Sequence, residues 1–415
     1  MTALNESLPM KKGRLGRFLA VAGPGLVVML ADTDAGSVIT AAQSGAAWGY
    51  RLLWLQLLLI PVLYVVQELT VRLGTVTGQG HAHLISRHFG KFWAWFSVST
   101  LLVCCLGALL TELAGLAGVG ALLGLSAPLT MVLVVGALLA MAYSQAYLTV
   151  ERIAMAIGAF ELVFLVVVVL ARPDPATLIA QATDIPFHDH KYLYLIAANI
   201  GAVIMPWMVF FQQSAVIEKK LTPDDLPAAR MDTILGAVLT QVIMAAVLVA
   251  TGATLGQSGQ SGDLDTVARI AEAITPFLGE FGGKLLFGLG MTGAALVAAI
   301  VVTLTAARTL GEMLGVKCSL DDQPRDAPWF YGAYTAALIV CGLVVASGVN
   351  LVSLSVGVQV MNALLLPFVL GFLYLLARRL PAPFRLRGAH AVVCAGIIAL
   401  ASLFGVYSGV AGLFE

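Results

Sequence analysis

The sequence predicts an all-α integral membrane protein with eleven transmembrane helices in two inverted halves of five, plus one extra helix. Three observations carry this. Of the 415 residues, 60% are hydrophobic and 11% charged, and the mean hydropathy is +0.94, a balance that belongs to polytopic membrane proteins. Eleven apolar segments, each of about 17–25 residues or more, follow one another along the chain. The first and the sixth of these are interrupted mid-span, and paired interruptions at corresponding places point to an inverted repeat around a midplane site.

The first segment covers 18–47 and is broken at 32–37, where Asp32, Thr33, Asp34, Ala35, Gly36 and Ser37 interrupt the apolar run. A carboxylate at that depth costs roughly 2.5–3.5 kcal/mol on insertion scales, so two of them ask for a reason. Gly36 offers the backbone freedom a break needs. The functional reading is an unwound helix whose carbonyls and acids hold a cation; the alternative is an aqueous loop between two short helices. The next segments fall at 52–75, 92–122, 128–147 and 149–171. The sixth, at 192–217, contains Gly201 and Pro206; Pro206 lacks a backbone donor and crowds the preceding turn, which is expected to free carbonyls near Ile200–Ala202. The remainder fall at 230–254, 285–310, 329–347, 351–377 and 389–412, with a surface helix expected at 264–277 in the polar connection 255–284. The expected organisation is a cytoplasmic segment 1–17 and one membrane domain 18–415, with repeats at about 18–171 and 192–377 and the extra helix at about 389–412.

Charge sets the orientation. With the N-terminus inside, 18 of the 23 Lys and Arg residues face the cytoplasm and 5 face out, a clear positive-inside bias. The cytoplasmic (inner) membrane is therefore the expected location, with the C-terminus outside. No cleavable signal peptide is expected, because the first apolar segment carries Asp32 and Asp34 and no small-residue cleavage pattern follows. The five cysteines, Cys104, Cys105, Cys318, Cys341 and Cys394, form no metal-type spacing. His81, His83 and His88 on one connection, and His188 and His190 on another, read as solvated loop residues. No Walker or nucleophile motif occurs, which argues against an enzyme or an ATP-driven pump.

Several stretches together resemble the Nramp divalent-metal transporters. They are Gly23-Pro24-Gly25-Leu26, Asp34-Ala35-Gly36-Ser37, and Gln43-Ser44-Gly45 followed by Gly49-Tyr50-Arg51-Leu52-Leu53-Trp54. Arg72-Leu73-Gly74 with Val76-Thr77-Gly78, Ala202-Val203-Ile204-Met205-Pro206, and Gln359 with Leu366-Pro367-Phe368 complete the pattern, which runs from about residue 20 to 410. There are departures. Ser37 and Ala35 stand where the family has asparagine and proline. Trp207 and a position near Gln212 replace its two histidines after Met-Pro. Glu112 replaces an aspartate of the third helix, while Gly115 and Cys105 replace two further carboxylates. Asp32 and Glu68 are acids that typical members lack. This combination is similar to the Nramp-related magnesium transporters, a divergent branch, although the soft Met205 runs against that placement.

The resemblance implies a LeuT-like fold and alternating access, with Mg²⁺ or Mn²⁺ as transported substrate, weak or absent proton coupling and no cofactor. Asp34, Ser37, Ala202 through its carbonyl, Met205 and Gln359 are the candidate metal ligands. Asp32, Glu112, Glu68, Gly36 and Gly201 are candidates for the surroundings and the pathway, with Glu161 ranked beside Glu68. Met205 offers a thioether suited to softer ions, yet methionine in an apolar helix ordinarily packs. Ser37 is short enough for a water to intervene, which suits Mg²⁺. The expected partners are the metal ion and the lipid bilayer, without nucleic acid, and the expected state is a monomer. An organic-solute or amino-acid symporter on the same fold, with Asp34 binding an amine or Na⁺, is the alternative; a transporter-like sensor is a third reading.

Overall fold

The computed structural model describes residues 24–144, 156, 159–255, 264, 266–318 and 322–413, and all regular structure among them is helical. The expected segment 1–17 and the opening of the fifth apolar segment lie outside these residues. The first apolar segment is split into α1 (Pro24–Asp32) and α2 (Ala35–Trp48). Then come α3 (Leu53–Thr77), a short α4 (His81–Phe89), α5 (Lys91–Leu122) and α6 (Ala127–Ser144). A 3-10 turn at Ala159–Leu162 leads into α7 (Val163–Ala171), and α8 (Pro175–Thr183) bends away from it by 113°. The sixth segment is split into α9 (His190–Val203) and α10 (Pro206–Glu218). The chain continues through α11 (Leu226–Thr254), α12 (Val267–Leu278), α13 (Glu280–Leu314), α14 (Pro328–Ala346), α15 (Leu351–Ala377) and α16 (Gly388–Leu413).

Nine helical stretches among the described residues are long and apolar enough to cross a bilayer, with α9–α10 counted as one, and ten if the bent pair at 159–183 is added. α1 and α2 have only 9 and 14 residues, too few to span alone. The stretch from His190 to Glu218 is the innermost, with 94% of its apolar window buried, against 28% for α6 and 33% for α16. The interrupted helices therefore lie at the centre, and α6, α14 and α16 lie at the periphery.

Close packing there depends on small residues. At Gly45 a side chain would overlap the Leu248 carbonyl and Thr251 of α11. At Gly201 it would overlap the main-chain carbonyl of Gln359, so α9 and α15 touch backbone to backbone. Buried polar groups fasten the same centre. Asn199 of α9 donates to Ser44 Oγ at 2.7 Å and to the Leu195 carbonyl, and it accepts from Gln56 Nε2 at 2.6 Å. In a bilayer such groups have no water to turn to, so pairing among α2, α3 and α9 is what makes them tolerable.

The helix expected near 264–277 is present as α12 and lies at the surface: Arg269 and Glu272 are exposed, while Val267, Ile270 and Ala271 bury its apolar face against the bundle, where it packs on α13. One expectation needs correction. The connection after the second segment is not a solvated loop, because Ala82, Leu84 and Ile85 bury the apolar face of α4 against the bundle.

Candidate functional site

Both interruptions are two residues long. α1 stops at Asp32, and Thr33 still donates to the Met29 carbonyl at 3.2 Å. Asp34 then leaves helical geometry (φ −70°, ψ 171°) and caps α2, its Oδ1 accepting from the Ser37 amide at 2.7 Å. The break is thus Thr33–Asp34, narrower than 32–37. Gly36 is inside α2 and serves by its size, since a side chain there would overlap Gln359 Nε2 and crowd Thr111. In the sixth segment α9 ends at Val203, Ile204 and Met205 are extended or irregular, and Pro206 opens α10 at the position where its missing N–H costs nothing. The Ile200 carbonyl is not freed, as it accepts from the Ile204 amide at 3.0 Å. The Ala202 carbonyl does leave the helix ladder, because the residue four ahead is Pro206.

The two breaks meet. Ser37 Oγ donates to the Ala202 carbonyl at 3.1 Å, tying α2 to α9 directly. Glu112 of α5 reaches the same place: its Oε2 accepts from the Ala35 amide at 3.1 Å and its Oε1 from Thr111 Oγ1 at 3.1 Å. So Glu112 is not isolated; it satisfies a first-turn amide of α2 and sits beside Asp34. Gly115, one turn on, packs against Ala35. Gln359 of α15 accepts from Asn362 Nδ2 at 2.9 Å through Oε1 and turns Nε2 toward Gly36.

Asp32, Asp34, Ser37, Ala202, Met205, Glu112 and Gln359 are all buried. Both oxygens of Asp32 and Oδ2 of Asp34 have no hydrogen-bond partner. Glu161, at the turn before α7, is buried against Gly290, faces Thr33 and lies near Asp34. Its only sequence signal is an acid at the start of a valine-rich apolar run. Acid oxygens orphaned in a low-dielectric core call for a cation or protons. Among the described residues no three His, Cys, Asp or Glu side chains form a cluster that could hold a metal ion, so any ligand set drawn from them mixes at most two such side chains with carbonyl, hydroxyl, amide or thioether donors.

Met205 Sδ accepts a hydrogen bond from Trp207 Nε1 at 3.2 Å, and the Met205 amide donates to Met208 Sδ at 3.3 Å. The thioether is therefore partly engaged. Glu68 is not brought to the breaks: Arg72, one turn on in the same helix, and Arg230 of α11 hold its carboxylate at 2.8 and 2.7 Å.

The histidines divide. His83 and His88 are exposed, but His81 is buried, its Nδ1 3.0 Å from Gln213 Oε1 and its ring edge-on to Phe210. Burial pulls this imidazole down to about 4, against a small upward effect of the Gln213 hydrogen bond. The unfolded value is about 6.5. A lowered folded value means the stabilisation is fully present above pH of about 6.5 and is lost as pH falls toward 4. Thermal unfolding of the detergent-solubilised protein should show its midpoint dropping over that range, with a flatter profile in His81→Gln; identical profiles would reject the assignment.

The arrangement is shared by solved structures. A manganese transporter of Eremococcus coleocola superposes with a TM-score of 0.75 at 19% identity, covering 100% of this chain and 92% of that one. The nucleobase-cation-symport-1 family transporter MHP1 gives 0.58 at 15% identity, covering 95% and 91%. The fold is the LeuT-like inverted repeat with its first and sixth helices broken, that of membrane transporters. Among curated proteins, a divalent metal cation transporter MntH of Chromohalobacter salexigens is 28% identical over 310 residues, 71% of this chain and 70% of that one. The model of the Nramp family, described as natural resistance-associated macrophage protein-like, matches residues 25–411, and the chain belongs to that family.

Proposed function

We propose that this protein carries divalent metal cations, Mg²⁺ or Mn²⁺, across the cytoplasmic membrane into the cell by alternating access, with weak coupling to protons. The observation that carries the reading is the meeting of the two helix breaks at Ser37 and Ala202, with Asp34 Oδ2 unpartnered beside them. Family membership and relatives named as divalent metal cation transporters support a metal over an organic solute. Asp34 supplies the charge. The Ala202 carbonyl and Ser37 Oγ supply neutral oxygens, Gln359 would offer its own once its amide turns, since Nε2 now faces Gly36, and Met205 lies at the edge of the set. Asp32, Glu112 and Glu161 surround it with further negative charge, which suits an ion that keeps part of its water shell. The protein works as a monomer, with its N-terminus in the cytoplasm and its C-terminus outside, and no enzymatic step or resident cofactor is involved. Titration calorimetry of the purified protein with Mg²⁺, Mn²⁺ and Ca²⁺, together with flux into liposomes, tests this. Saturable binding and flux of Mg²⁺ or Mn²⁺ are expected, and binding of an amine or Na⁺ alone would favour the organic-solute symporter.

Selectivity follows from the engaged sulfur. The Trp207 hydrogen bond, worth about 1 kcal/mol or roughly fivefold, competes with a soft ion for the thioether. Trp207→Phe should raise Cd²⁺ uptake relative to Mg²⁺ by about that factor. Adding Met205→Ala should remove the gain. An equal change for both ions would mean that Met205 only packs.

A further inference from the structure

We infer that an anionic phospholipid headgroup binds at the end of the bundle assigned to the cytoplasm, in a recess between α3, α11 and α16. The recess has a volume of about 490 Å³, and its charged walls are Arg72, Arg230, Arg385, Arg387 and Glu68. Four guanidiniums face one carboxylate, and that carboxylate is already saturated. Glu68 Oε1 accepts from Arg72 Nη2 at 2.8 Å and Arg230 Nε at 2.7 Å, and its Oε2 accepts from Arg72 Nη2 at 3.0 Å. Arg385 donates through Nε to the Leu380 carbonyl at 2.9 Å. Neither Arg385 nor Arg387 has a carboxylate partner among the described residues, and both are exposed. Guanidiniums in excess at a membrane-facing recess match the oxygens of a phosphate, which accept paired N–H donors.

A lipid, rather than a free phosphate, is indicated by what lies beside the charges. Tyr64 also lines the recess, eight residues before Arg72 and on the same helical face. At 1.5 Å per residue the recess runs about 12 Å along α3, from the guanidiniums into the apolar depth. Beyond it, exposed apolar side chains continue each wall: Leu57 on α3, Ile234 and Val238 on α11, and Val393 and Leu400 on α16. Ile234 and Val238 follow Arg230 at four-residue spacing, so they share its face. The surface thus offers a basic pocket for a headgroup and an apolar groove for its chains. Nothing in this inference depends on which solute is transported.

Native mass spectrometry of the full-length protein in detergent, with added phosphatidylglycerol or phosphatidylcholine, reads it directly. Phosphatidylglycerol should be retained in preference to phosphatidylcholine. A basic residue near the surface contributes roughly fivefold, so Arg385→Gln with Arg387→Gln should weaken phosphatidylglycerol retention by about 30-fold. Both side chains are exposed and lie outside the Glu68 lock, so the variant should keep its fold, checked by its unfolding midpoint. The matching change Arg325→Gln, elsewhere on the chain, should leave retention unaltered. Equal retention of the two lipids, or an unchanged double variant, would overturn the inference. So would inorganic phosphate displacing phosphatidylglycerol at comparable concentration, which would reassign the recess to a soluble anion.

Discussion

Asp34→Asn is expected to reduce divalent-metal uptake by about 100-fold or more while leaving the protein folded. The amide can still accept the Ser37 N–H bond that caps α2, so the local structure survives. What disappears is the negative charge. Removing one partner of a buried charge pair costs about 3–5 kcal/mol, which sets the size of the loss. Asp34→Ala would remove the cap as well, at about 1 kcal/mol, and so mixes two effects. Asp32→Asn should cost less, since Asp32 closes α1 and lies outside the proposed ligand set. Uptake of Mg²⁺ and Mn²⁺ into proteoliposomes measures this, and parental rates in Asp34→Asn would remove Asp34 from the site.

An inside-negative membrane potential is expected to drive metal influx, with little acidification of the lumen. A proton route needs titratable groups linking the site to the cytoplasm. Below the second break the chain offers Trp207, which carries no proton, and Gln212, also neutral; both are buried. Glu68, the acid that could have extended a route along α3, is locked by Arg72 and Arg230. The field supplies about 2.3 kcal/mol per charge per 100 mV, roughly 4.6 kcal/mol for a divalent ion. Liposomes carrying a valinomycin-imposed potential and a lumenal pH dye separate the cases. Stoichiometric proton uptake, abolished by Glu112→Gln, would establish a coupled mechanism instead.

Much of this was legible in the residues. Two acids in an apolar run announce the first break, and Pro206 announces the second, because each breaks a rule of membrane helices that is expensive to ignore. The segment ends also came out close to the observed helices; α15 runs from Leu351 to Ala377 as expected. What could not be read depends on contacts between distant parts of the chain. His81 is buried because Gln213, 132 residues away, and Phe210 come to meet it. Glu161 reaches the site through the packing of its turn on α13. Gly36 and Gly201 read as flexible joints, yet their neighbours show that they are there for lack of bulk. Glu68 is different: its partner Arg72 stands at i+4, a spacing the sequence displays openly.

The backbone contact at Gly201 also limits how the machine can turn. Since not even a methyl group fits between α9 and the Gln359 carbonyl at Gly201, the two helices are keyed together at that level and sliding there would meet backbone. They form one jaw of a clamp. The other jaw is α10, joined to it only through the non-helical pair Ile204–Met205. In the alternating-access cycle proposed above, the change of access would concentrate its rotation at that pair, beside the Ala202 carbonyl. On the proposed reading the joint and the metal's seat share the Ala202 carbonyl, so opening the joint would take a ligand away from the ion.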